Sequence, residues 1–67
     1  MEKKKYKVVD LLEGKETIGY ADTITDIKRL AKHWIENVAE EAAIFYYPFD
    51  KTSGKYKFSE RVFLKTY

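Results

Sequence analysis

The chain has 67 residues, with thirteen lysines and arginines against eleven aspartates and glutamates, and no cysteine. That length allows one small domain over 1–67, burying only about 60% of the surface its unfolded form exposes. The missing thiols exclude disulfide staples and thiolate metal sites. A formal charge of +2 is too small for a general nucleic-acid footprint, so any such contact must come from local clustering.

The amino-terminal run Met1-Glu2-Lys3-Lys4-Lys5 is basic but leads straight into an alternating pattern, unlike the apolar core of a secretory signal. The longest apolar run, Ala42 to Phe49, has eight residues, too few to span a bilayer. The expectation is a cytoplasmic protein without membrane contact.

The first strand pattern, Lys5 to Leu12, is followed by Glu13-Gly14 and a second strand, Glu16 to Tyr20. Gly14 can take the positive φ that a tight hairpin turn needs. Two registers compete. A two-residue loop at Glu13-Gly14 sets Val9 opposite Ile18. A three-residue loop with Gly14 as the bulge residue sets Val8 opposite Ile18 and Tyr6 opposite Tyr20. The second is preferred, since an aromatic cross-strand pair contributes up to roughly 1 kcal/mol, although it also sets Asp10 against Glu16.

A helix follows. Ile24, Ile27, Leu30, Ala31, Trp34, Ile35 and Val38 form one apolar stripe. Thr23 is the expected N-cap, with Asp26 three residues later suiting the positive end of the helix dipole. The predicted span is Ile24 to Val38 or Glu40. Its charges run against the dipole: Lys28, Arg29 and Lys32 come early, while Glu36, Glu40 and Glu41 come late.

A second hairpin is predicted from Ala43 to Phe49, a turn over Asp50–Gly54 with Gly54 left-handed, and a last strand to Tyr67. Pairing Asp50 with Lys55 sets Phe49 opposite Tyr56, Tyr47 opposite Phe58 and Ala43 opposite Val62. Pro48 cannot donate to a ladder, which marks the third strand as an edge. The compact solution is then a ββαββ fold, its four-stranded sheet in the order 2-1-4-3 with first and last strands parallel and central, and the helix on one face. Across nearly the whole chain this order of elements resembles the β-grasp superfold, in particular the immunoglobulin-binding domains of streptococcal protein G. The terminal Lys65-Thr66-Tyr67 differs from the Gly-Gly of conjugated ubiquitin-like members, so conjugation is not expected.

No catalytic constellation is visible. His33 lies off the apolar stripe and reads as a solvated position, with no other His or Cys to complete a metal site. Asp10, Glu13 and Glu16 surround the first turn and read as solvating charges. There is no Gly-rich phosphate loop, and a domain this small lacks room for the usual substrate pocket. The expectation is a non-catalytic module without cofactor or metal.

Eight of the eleven aromatic residues lie between Ala43 and Tyr67. With a period of two, Tyr47, Phe49, Tyr56, Phe58, Val62 and Leu64 form a core wall facing the helix. Tyr46, Lys57, Arg61, Phe63, Lys65 and Tyr67, with Ile44, form an open face that is the candidate partner-binding surface. Aromatics and arginine are enriched at protein interfaces, so a protein partner is the first expectation. It would be met through this face or the uncharged third-strand edge, which also suits homodimerisation. Interleaved rings and cations suit single-stranded nucleic acid as an alternative. A third reading is an inhibitor occluding a larger enzyme through the bipolar helix. Glu60 falls on the helix-facing side in this register unless a bulge near Ser59 swaps the faces, turning Phe63 inward and Val62 outward. The abundance of Lys, Ile, Tyr and Phe points to an accessory protein of an AT-rich bacterium or its phage.

Overall fold

Strand, strand, helix and three further strands follow in that order in a computed structural model that describes residues 3–67. Met1 and Glu2, the start of the basic run, lie outside the described residues. The strands are β1 (Tyr6–Asp10), β2 (Glu16–Ala21), β3 (Ala43–Asp50), β4 (Lys55–Tyr56) and β5 (Val62–Thr66), with helix α1 at Ile24–Asn37 and a 3-10 turn at Phe58–Glu60. The fold is α+β: one helix on a curled, antiparallel sheet.

The first hairpin uses both competing registers. Next to the turn, Asp10 pairs with Glu16 and Val9 with Thr17, as the longer loop requires. Past a bulge the pairing becomes Val8 with Gly19, Lys7 with Tyr20 and Tyr6 with Ala21, the register of the shorter loop. Ile18 is the extra residue, so it meets neither Val8 nor Val9 and packs instead on the helix-side core. Gly14 takes a φ of 121°, and Gly54 in the later turn takes 72°.

The helix starts at its expected cap, where Thr23 Oγ1 accepts from the Asp26 N–H at 3.2 Å. Its buried positions, Ile27 and Ala31, meet Val8, Ala21, Ala42 and Ile44. Gly19 lets α1 settle close to β2: a Cβ there would stand 3.3 Å from both Leu30 methyls. As a result the helix lies chiefly over β2 and β1.

Strand order departs from expectation. β1 has β2 on one side and β3, antiparallel, on the other, instead of the last strand in parallel. β3 therefore lies inside the sheet and is not an edge. Its far side is shared, Phe49 and Asp50 pairing with β4 and Ala43 to Tyr46 with β5. The expected adjacency of β2 with β1 and of β3 with β4 holds, and the order 2-1-4-3 does not.

Pro48 explains how β3 can be interior. Its carbonyl accepts from the Lys57 N–H at 2.8 Å, while the neighbouring Phe49 N–H donates across to Lys5. In an antiparallel strand the N–H and C=O of one residue point the same way, so the proline nitrogen faces the β4–β5 side. There the chain leaves the ladder for the 3-10 turn, and no donor is required. Phe49–Tyr56 and Asp50–Lys55 pair as expected. Beyond the turn the register has slipped by three, Tyr46 pairing with Val62 and Phe45 with Phe63, in place of Tyr47–Phe58 and Ala43–Val62.

One carboxylate ties these parts together. Asp10 is 7% exposed. Its Oδ1 accepts from the N–H groups of Leu12 and Ala43 at 3.0 and 3.2 Å, and its Oδ2 accepts from Trp34 Nε1 at 3.0 Å. An amide cannot replace it, because Asn has one acceptor oxygen and would turn an NH2 toward at least one donor. Asp10→Asn should lower unfolding stability by about 2–4 kcal/mol, on the scale of buried donors left unpaired. A urea titration giving less than about 1 kcal/mol would show that the three contacts are dispensable.

Candidate interaction surfaces

Alternation along β1 and β3 puts Tyr6, Val8, Ile44 and Tyr46 toward the helix, and Lys7, Val9, Phe45, Tyr47 and Phe49 on the opposite face. The expected orientation of β3 is thus inverted. Tyr47, Phe49, Tyr56 and Phe58 are core-forming, but they build a second cluster on the face away from the helix. Ring centroids there lie 5.1 Å apart for Phe49–Tyr56, 5.3 Å for Tyr47–Phe58 and 5.4 Å for Tyr20–Tyr56. The last pair joins β2 to β4, on opposite sides of the sheet, so the sheet curls around this cluster.

The candidate residues of the last strand are divided between the two faces. Tyr46 packs edge-on against Tyr6 at 5.5 Å on the helix side. Val62 and Leu64 also face the helix, by the Tyr46 pairing and the core contacts of Leu64, and Phe63 points away beside Phe45 at 5.2 Å. A break near Ser59 does occur, but it leaves Phe63 outward because β3 itself is turned over. A bulge between Ile44 and Phe45 makes Leu64 the extra residue, and Lys65, paired with Ile44, returns to the helix side with Tyr67. Arg61 stays on the far face. Lys57 stands between Asp50 and Glu60, at 3.9 and 3.6 Å.

Two surfaces therefore replace the single expected one. On the far face, Lys15 Nζ and Arg61 Cζ lie 4.6 and 4.5 Å from the Phe58 centroid, and neither has a carboxylate partner among the described residues. Lys15 is a residue the sequence pattern did not single out; its spacing two residues before Thr17, the partner of Val9, is the signal that places it there. On the helix side, Lys28 and Lys32 of α1 meet Leu64, Lys65 and Tyr67 around a groove of about 540 Å³. Lys65 Nζ sits 4.8 Å above the Tyr67 ring.

The helix's other end closes a separate cleft of about 580 Å³ with the first turn, where Glu13 and Glu16 face Glu40 and Glu41. Asp10, at its base, is already held by three donors. His33 is exposed and contacts Asn37 at 3.1 Å. Among the described residues no cluster of three His, Cys, Asp or Glu side chains could hold a metal ion, and no helix is long and apolar enough to cross a membrane. No protein-family model, curated protein or solved structure matches the chain.

Three groups at the sheet's rim have shifted acidities. Asp22 is held below the usual carboxylate range by the Lys5 N–H, helped by Lys4. Asp50 is lowered by the Ser53 hydroxyl and the Thr52 N–H. Tyr56 is raised, first by burial and then by the neighbouring Tyr20 and Asp22, while its hydroxyl donates to the Lys4 carbonyl at 2.8 Å. A tyrosine whose folded pKa is raised contributes stability in full below its ordinary pKa of 10.0 and loses it as pH climbs through the folded value. Urea midpoints measured from pH 8 to 11 should fall more steeply for the wild type than for Tyr56→Phe. Parallel curves would remove the assignment.

Tyr47 carries an imperfection. It is 1% exposed, and its hydroxyl finds no hydrogen-bond partner among the described residues. Removing a buried unpaired hydroxyl relieves its desolvation cost. Tyr47→Phe should raise stability by about 1 kcal/mol, read as an increased thermal midpoint; a loss of stability would show that the hydroxyl is satisfied in solution.

Proposed function

We propose that the chain is a small non-catalytic binding module that takes a protein partner along β5 and the sheet face beside it. The observation that carries this is the exposure of adjacent apolar residues on that strand: Val62 is 46% and Phe63 53% exposed, one on each face. Among the described residues β5 pairs with β3 alone, so its outer row of backbone groups is open there to extend the sheet. An uncharged third strand suggested strand addition at β3; with β3 interior, the same physics applies to β5. Exposed apolar edges are templates for an incoming strand, the backbone supplying affinity and alternate side chains supplying specificity.

A second reading, single-stranded nucleic acid on the far face, is favoured by Lys15 and Arg61 gathered on Phe58 beside other rings. Rings that stack bases and cations that meet phosphates are the means of such binding.

Replacing Val62 and Phe63 by lysine separates the readings. Neither residue is buried, so the double variant should stay within about 1 kcal/mol of wild-type stability. It should lose strand-type partners while keeping or strengthening oligonucleotide binding. If an oligo-dT probe binds with steep salt dependence, and the lysine variant leaves every protein contact intact, the protein reading is wrong.

A further inference from the structure

Building on the β5 reading above, we infer that the partner segment is an acidic, extended peptide with carboxylates at alternate positions. Strand addition to β5 dictates the alternation, since successive side chains of the added strand fall on opposite faces of the sheet. On the helix side the next strand position lies over the groove of Lys28, Lys32, Lys65, Leu64 and Tyr67. On the far side it lies beyond Phe63.

The charge of that groove is uncommitted. Lys28 and Lys65 form no ion pair among the described residues, and Lys32 reaches only Glu36 at 3.9 Å, both side chains well exposed. Four glutamates gather elsewhere: Glu13, Glu16, Glu40 and Glu41 line the cleft at the opposite end of the helix. Three cations from two elements thus stand over an apolar floor with a single, long and exposed carboxylate contact among them, and their complement is an anion carried on an apolar-bordered chain. Their spacing suits a strand. Lys28 and Lys32 are one helical turn apart, about 6 Å of rise, close to the roughly 6.8 Å between alternate residues of a strand. A second copy of this chain fits less well, because its own β5, added with the same face toward the helix, would bring Lys65 toward the same cations.

The backbone offers the register. Both the N–H and C=O of Tyr67 bond to Ala42, at 2.7 and 3.3 Å. Thr66, paired with Ala43, then turns its own N–H and C=O to the outer edge, as alternate residues of an antiparallel strand do. The Thr66 amide is therefore the reporter of strand addition.

The test uses the whole chain, isotopically labelled, titrated with an acetylated octapeptide of alternating glutamate and valine. The matching lysine–valine octapeptide is the control. Expected are chemical-shift changes along β5, slowed exchange of the Thr66 amide, and at least tenfold tighter binding of the glutamate peptide at low salt, shrinking as salt screens the contact. In the variant Lys28→Glu, Lys32→Glu, Lys65→Glu, the preference should reverse toward the lysine peptide. Equal binding of both peptides with Thr66 protected overturns the acidic specificity and leaves the β5 edge reading standing. No protection of Thr66 by either peptide overturns the edge reading itself. Shifts confined to Lys15, Phe58 and Arg61 assign the anion contact to the far face and overturn the groove.

Discussion

The Asp10 carboxylate is the constraint on which the rest of the architecture hangs. It lies at the end of β1, and its three donors come from the first turn, from the helix and from the start of β3. Together these contacts fix where the helix lies relative to the first hairpin and which strand may stand beside β1. Ala43 is anchored twice at this point, its N–H to Asp10 and its carbonyl to the Leu11 N–H at 2.9 Å. Once Ala43 is held there, β3 runs antiparallel along β1 and occupies the side that a parallel last strand would need.

That choice resolves a hazard visible in the chain itself. The eight uncharged residues from Ala42 to Phe49 would make a sticky edge, and edge strands are usually defended by charge. Inside the sheet they need no defence. Pro48 is accommodated because the strand opposite it is broken, and the break is filled by a short turn that lays Phe58 over Tyr47. The same insertion separates β4 from β5 and leaves β5, rather than β3, with the free edge.

Gly19 draws the helix toward β2, so the side of the sheet near β5 is the least covered. The consequence is an asymmetric molecule: an acidic cleft where the helix ends, a basic groove where its first half passes β5, and a curled aromatic cluster behind. Helix charges set against the dipole are carried into the tertiary arrangement. Lys28 and Lys32 meet Lys65 and Tyr67 at one end, and the late glutamates face those of the first turn, so like charges gather at each end. The modest net charge conceals a marked separation of charge.

Local patterns were sufficient wherever one element satisfied itself. The apolar stripe from Ile24 to Val38 defined the helix, Thr23 its start, and Gly14 and Gly54 the two turns, because each depends on residues within a few positions. The Phe49–Tyr56 and Asp50–Lys55 pairing was legible for the same reason. By contrast, a period of two assigns residues to two faces but does not say which face meets the helix, so Tyr47, Phe49, Tyr56 and Phe58 are legible as core-forming while the side of the sheet they cover is not. Bulges at Ile18 and Leu64 carry no sequence signature and shift everything beyond them, which is how Lys65 and Tyr67 came to stand beside Lys28 and Lys32. What the amino-acid sequence determined alone was the helix, the two hairpin turns and the α+β class; the division of the expected last strand into β4, a 3-10 turn and β5 was not among them. Strand order, the facing of β3 and the residues that share a surface were decided only in the folded chain, because they depend on long-range contacts such as Asp10 with Trp34 and Ala43, which no local pattern records.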